Sequence, residues 1–166
     1  MTQQLWAPWR MSYITSERHQ GCIFCEKPAE NRDAVNFILY RGSRAFVMMN
    51  AYPYNNGHLM VVPYSHAPNL HGLSDDDLAE MMVLTRMCTG VLDEALRPEG
   101  YNIGVNLGQV AGAGIADHVH IHVVPRWHGD TNFMAAVADV KVLPQSLAES
   151  YRSLRPYFDA QVAGAR

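Results

Sequence analysis

The sequence predicts an α+β domain, a five-stranded antiparallel sheet accompanied by one long helix and a C-terminal helix, and three observations carry that expectation. Five short apolar or alternating runs, over residues 34–40, 44–49, 58–63, 101–107 and 118–126, are bounded by turn residues in the way strands are. One long stretch, residues 73–97, repeats its apolar residues at helical spacing and falls between the third and fourth runs. The other connections are hairpin-like, which favours antiparallel pairing with the helices on one face. A chain of 166 residues with 48% apolar content suits a single domain over 1–166 with a sizeable core.

Residues 1–21 contain Leu5-Trp6-Ala7-Pro8-Trp9-Arg10, dense in aromatics and without a clear period. They read as an arm packed on the domain or on a second subunit. Cys22-Ile23-Phe24-Cys25 follows. No helical pattern comes directly after Cys25 and no βαβ context surrounds it, so a thioredoxin-like redox motif fits poorly and half of a zinc site fits better. Three cysteines do not make a secreted disulfide framework.

The first two strands flank Arg41-Gly42-Ser43, a hairpin pattern, and residues 50–57 form a loop rich in Asn, Pro, Tyr and Gly. His58 opens the third strand, and His66 comes eight residues later. Ser74 and Asp77 give the long helix a capping-box start. Leu78, Met81, Met82, Thr85, Cys88, Val91, Leu92 and Ala95 form its core stripe, with the methionines as packing and Cys88 as a small buried residue. Arg97-Pro98-Glu99-Gly100 ends it. The fourth strand runs into a glycine-rich loop, residues 108–114, whose backbone N–H groups could hold phosphate oxygens. A polar loop, residues 126–134, follows the fifth strand. The segment 144–166 is a helix and tail carrying Leu147, Tyr151, Leu154 and Phe158, interrupted by Pro156.

The chemistry concentrates in His118-Val119-His120-Ile121-His122. Side chains two apart on a strand share a face, so three imidazoles line one side while Val119, Ile121 and Val123 face the core, and Pro125 closes the strand. Placing three titratable rings there sacrifices apolar burial, which argues for a site. The residues alone leave two chemistries open: a catalytic metal centre with one position kept for water, or a nucleophilic central ring oriented by its neighbours.

The net charge of −3 carries no signal for a large nucleic-acid surface. No apolar run is long enough to span a bilayer, and no secretory leader pattern opens the chain. A soluble, cytoplasmic protein is expected, with neither nucleic acid nor membrane as partner.

The His-x-His-x-His run followed by two apolar residues resembles the histidine triad (HIT) family of nucleotide hydrolases and transferases. The likeness covers most of the chain. Val124-Pro125-Arg126-Trp127 and Gly129-Asp130-Thr131-Asn132-Phe133 resemble its diadenosine tetraphosphate phosphorylase branch. The resemblance implies a homodimer and a covalent nucleotidyl-histidine on His120, with His122 and His58 in the same catalytic row. It implies nucleotide contacts from Asn50, Asn106, Gln109, Gly112, Ala113, Gly114, His120 and His122, and a structural zinc on Cys22, Cys25, His66 and His118, with no organic cofactor. The family's Ser or Thr three residues before the triad is Ile115 here, which opens the question of what meets the leaving group. The leading expectation is a nucleotidyl hydrolase or transferase on dinucleoside polyphosphates or AMP conjugates, with diadenosine tetraphosphate phosphorolysis favoured. A zinc metallohydrolase using the triad and a nucleotide-binding sensor or scaffold with little activity are the alternatives.

Overall fold

The computed structural model describes residues 21–131 and 142–164, with no account of side chains beyond residue 161. The aromatic arm therefore lies almost wholly outside the described residues, as do Asn132, Phe133 and Met134 of the loop after the triad. Five strands, β1 Ile38–Arg41, β2 Ala45–Met49, β3 Leu59–Pro63, β4 Gly100–Val105 and β5 Ile121–Arg126, form one sheet in the order β1-β2-β3-β5-β4. Every neighbouring pair is antiparallel. Helices α1 Ile23–Ala29, α2 Asp33–Asn36, α3 Asp75–Leu96 and α4 Leu147–Gly164 complete the described elements, with two short 3₁₀ turns, Leu70–Gly72 and Gln109–Ala111.

The long helix starts where its cap predicts. Ser74 accepts from the Asp77 amide, and the Asp77 carboxylate accepts in return from the Ser74 amide. One face of α3 then packs on β2, β3 and β5, and α4 packs on α3 and β1. Met81, Leu84, Cys88, Val91 and Leu92 meet Val47, Val61, Val119, Ile121, Val123, Leu154 and Phe158 in the main core. A smaller cluster, Phe24, Ile38, Phe46, Met48, Met60 and Val62, covers the opposite face of β1–β3. That second layer seats α1 beside the histidines.

Several expectations need correction. Residues 34–36 are not strand but the short helix α2, stopped by Phe37 in the left-handed region at φ 55°. Buried Asn36 donates to the Lys27 carbonyl and the Glu30 carboxylate, and Arg41 grips Asp33 and the Pro28 carbonyl, so the apolar run was shared between a helical turn and a strand. Cys25 does lie within a helix, α1, too short for its period to show against a Cys-x-x-Cys background. The βαβ context is still lacking, because α1 and α2 precede β1.

The fifth strand begins only at Ile121, leaving His118 and His120 in the irregular segment before it, and Pro125 lies inside it, paired with Tyr101. Proline is tolerated there because pairing to β3 ends at Val123, and Asn55 takes the Pro125 carbonyl instead. The fourth strand stops at Val105, short of Leu107. Met82 is 59% exposed, one position off the buried stripe of α3. Helix α4 runs through Pro156, with Leu154 and Phe158 completely buried on either side of it. Packing of that face outweighs one missing backbone hydrogen bond.

Candidate active site and metal cluster

Two adjoining sites grow from the segment around the triad. At its start, His118 meets the Cys-x-x-Cys turn at the head of α1. Cys22 Sγ lies 3.2 Å and Cys25 Sγ 3.6 Å from His118 Nδ1, and Cys25 Sγ lies 3.3 Å from His66 Nδ1. The four ligand atoms all fall within 4.8 Å of one another. Metal–ligand bonds of ~2.0–2.3 Å in a tetrahedron separate ligand atoms by roughly 3.3–3.8 Å, so two thiols and two imidazoles fit zinc here in number, type and spacing. The other nitrogen of His118 fixes the tautomer: Nε2–H donates to the Pro63 carbonyl at 2.9 Å, which leaves Nδ1 as a lone pair facing the thiols. The His66 and His118 segments are joined by the Val119 amide donating to the Ala67 carbonyl at 2.7 Å.

His120 belongs to the second site. Its Nδ1 lies 2.9 Å from the His118 carbonyl, which can only accept, so Nδ1 carries the proton and Nε2 of the neutral ring is left as a lone pair. Burial holds its pKa below the ordinary histidine value, which keeps the ring neutral at pH 7. Phe24, between the two cysteines, packs on both rings, with centroids 5.5 Å from His118 and 4.8 Å from His120.

The row continues with His122, whose ring centroid is 4.7 Å from that of His120. Its protonation follows from a chain of three groups. The Tyr54 amide donates to His58 Nδ1 at 3.1 Å, so neutral His58 carries its proton on Nε2 and passes it as a hydrogen bond to His122 Nδ1 at 3.0 Å. The proton of His122 is thereby placed on Nε2. Burial, followed by the neighbouring rings, pushes His58 down to about 3 and His122 down to about 4. Tyr54 also lays its ring over both, at 4.6 Å from His58 and 5.6 Å from His122.

The remaining candidates divide. Asn50 is half-buried, accepts from the Tyr52 amide and approaches His58 Nδ1 at 3.4 Å. Asn106 reaches the Gly112 carbonyl at 3.4 Å and ties down the glycine loop. Gln109 begins the exposed turn Gln109–Ala111. The phosphate cradle expected of residues 112–114 is smaller than the glycines suggested. Gly112 and Ala113 spend their amides inside the loop, on the Gln109 and Gly108 carbonyls, because the chain coils into a 3₁₀ turn there. Among the described residues, the Gly114 amide has no such acceptor. Ile115 packs against the Phe24 cluster rather than presenting a polar group.

Sequence reasoning missed Phe24 and Tyr54. A Phe inside a Cys-x-x-Cys turn and a Tyr four residues before a strand-opening His were the signals available.

The HIT domain family model matches residues 31–129, which contain the whole sheet and the triad. The chain belongs to the HIT family. This HIT chain is 40% identical over 161 residues to the AP-4-A phosphorylase of Mycobacterium tuberculosis, a match covering 92% of this chain and 82% of that one. It is 31% identical over 112 residues to an adenosine 5'-monophosphoramidase of Candida albicans, covering 65% and 72%. Among solved structures, a Zn-bound histidine triad family protein from Mycobacterium smegmatis superposes with a TM-score of 0.69 and 26% identity, covering 88% of this HIT chain and 98% of that one.

Proposed function

We propose that this protein is a nucleotidyltransferase that attacks the α-phosphate of a dinucleoside polyphosphate with His120 and passes the nucleotidyl group to inorganic phosphate, diadenosine tetraphosphate being the favoured substrate. The observation that carries the reading is the bond from His120 Nδ1 to the His118 carbonyl, which leaves Nε2 as the free lone pair. The substrate class is supported by the relative named AP-4-A phosphorylase.

In the first step the Nε2 lone pair forms the P–N bond in line as the P–O bond to the departing nucleotide breaks. His122 Nε2–H donates a hydrogen bond to the departing oxygen, which leaves as the ionised terminal phosphate of ATP, so His122 keeps its proton throughout. In the second step a phosphate oxygen attacks phosphorus, the P–N bond breaks and the electron pair returns to Nε2, giving ADP from the retained half and ATP as the other product. The Gly114 amide and Asn106 are assigned to the phosphoryl oxygens. Asn50, beside His58, is assigned to the ribose, and Gln109 with the 112–114 backbone to the polyphosphate flank.

Zinc on Cys22, Cys25, His66 and His118 is part of this reading. Four protein ligands would fill a tetrahedral shell, so the metal would supply rigidity and no bound water. A homodimer and a cytoplasmic setting belong to it as well. Arg86 and Glu94 stand four residues either side of Gly90 on a groove of α3, so a two-fold antiparallel crossing at Gly90 pairs each with its opposite charge. None of the three cysteines is in a disulfide. The described residues contain no helix long and apolar enough to cross a membrane. We read the chain 1–166 as one domain, since α4 contributes Tyr151, Leu154 and Phe158 to the main core.

The test is product analysis of diadenosine tetraphosphate with and without phosphate, combined with trapping of the intermediate. ADP formed only with phosphate and radiolabel retained on wild type but not on His120→Ala are the expected results. AMP and ATP in both conditions would make the protein a hydrolase. Tight AMP binding without any labelled protein would make it a sensor, and label retained without His120 would return the triad to a metallohydrolase role.

A further inference from the structure

On the face it shares with the histidines, strand β4 carries one side chain, Asn102, between two bare positions. Gly100, Asn102 and Gly104 stand opposite Arg126, Val124 and His122, so glycine occupies the rung of His122 and again the rung of Arg126. A Cβ added to either glycine would meet nothing within 4 Å, so neither is required by packing. Neither has positive φ, and the β4–β5 register runs without a shift, so turn and bulge explanations fail too. A strand glycine with no backbone reason marks a place where something else approaches closely. Valine or threonine there would favour the strand, and the chain forgoes it.

One rung from Gly104 and His122, on the same face, a cavity of about 240 Å³ opens between Tyr54, Asn55, Asn102, Val124 and Arg126. One rung is about 6.6–6.8 Å along a strand, so the cavity begins one rung beyond His122 and Gly104, which separate it from His120. Arg126 is clamped as a fork by Asp130, through Nε at 2.6 Å and Nη2 at 3.0 Å, and its Nη1 donates to Asn102. Asp130 offsets its charge, so the wall offers a polyanion directed N–H donors rather than a strong field. Tyr54, 53% exposed, presents an aromatic face at the other side.

Resting on the transfer reading above, we propose that this face of β4 is a channel for the departing half of the substrate, a nucleoside polyphosphate. Gly104 sets the size of group that can leave past His122, and Arg126 with Tyr54 receives its far end. Ile115, packed on the Phe24 cluster, offers the departing oxygen no hydroxyl, and the channel is where specificity for a bulky leaving group resides.

The test compares wild type with Gly104→Ala and Gly104→Val on two substrates sharing an AMP half: diadenosine tetraphosphate and adenosine 5'-phosphoramidate, whose leaving group is ammonia. The expected result is a fall of the diadenosine-to-phosphoramidate ratio of kcat/KM by tenfold or more in the valine variant and by an intermediate factor in the alanine variant, at unchanged melting temperature. As a second readout, in a His120→Ala background the valine change should weaken binding of diadenosine tetraphosphate by the same factor while AMP binding holds. A ratio unchanged in both variants overturns the channel and leaves the transfer reading intact. Equal loss on both substrates with an altered sedimentation coefficient assigns the glycine to a subunit contact and also overturns it. Wild type inert on both substrates sinks the two readings together.

Discussion

His58 Nε2 and His122 Nδ1 lie 3.0 Å apart, and this one bond decides where the proton of His122 sits. With the Tyr54 amide holding the far side of His58, the order of donors and acceptors runs in a single direction toward the outer nitrogen of His122. Replacing His58 by Ala removes the donor and releases His122 to carry its proton on either nitrogen. The expected outcome is a drop in kcat of about 10²-fold with little change in KM. Nitrogen NMR of His122 should report Nε2–H in the wild type and a tautomer mixture in the variant; a single unchanged tautomer would contradict the relay.

On the proposed transfer reading, His120→Ala should lower kcat on the order of 10⁴-fold or more, since it removes the proposed nucleophile. Bound zinc, measured per chain, should stay the same, because His120 offers no ligand to the Cys22–Cys25–His66–His118 group. Loss of the metal with the ring would tie His120 to the cluster and refute the separation of roles.

Folded His58 and His122 titrate near 3 and near 4, below the ~6.5 of an unfolded histidine. Between those values the unfolded chain binds protons that the native chain does not, so stability is complete above about pH 6.5 and declines as pH falls through the interval. The loss is up to about 2 kcal/mol per ring between pH 6.5 and 5, a range in which carboxylates hardly titrate. The urea midpoint at pH 5 should therefore lie below that at pH 7; coincident midpoints would mean the rings are already charged in the folded protein.

Cys22→Ser should reduce zinc content and cost about 3 kcal/mol, read as a melting temperature lower by roughly 6–12 °C. Chelation of the wild type should reproduce most of that shift. A wild type indifferent to chelator would argue that the four ligands hold no ion in solution.

Ser74→Ala should cost about 1 kcal/mol, or roughly 2–4 °C in melting temperature. The Asp77 carboxylate that completes this cap also accepts from Ser65, next to His66, so zinc affinity should weaken slightly as well. No change in either would mean that the cap is redundant.

The fold was legible where one period dominated. Ser74 and Asp77 announced α3, and the alternation of Val119, Ile121 and Val123 with the histidines set which side of β5 faced the core. Short elements were not legible, because the four residues of α2 and the seven of α1 are too few to show a helical repeat. At the site, spacing marked Cys22 and Cys25 as half of a zinc site, the resemblance to HIT proteins supplied His66 and His118, and the structure gathers all four. Hydrogen-bond direction had no trace in the sequence, since it depends on backbone carbonyls such as those of His118 and Pro63. The bareness of Gly104 was equally hidden, because its meaning depends on what lies across the sheet.

His118 faces two ways: its ring sits among the thiols while its carbonyl holds the Nδ1 proton of His120. Stripping an ion held by the four ligands would loosen the anchor of that carbonyl and let the neighbouring imidazole swap its protonated nitrogen. On the proposed reading, turnover would then decline although such an ion would not touch the reactants. Sensitivity to chelators is thus no diagnosis of a metalloenzyme in this molecule, and an inhibitor that merely pries open the cysteine turn would silence the chemistry from behind.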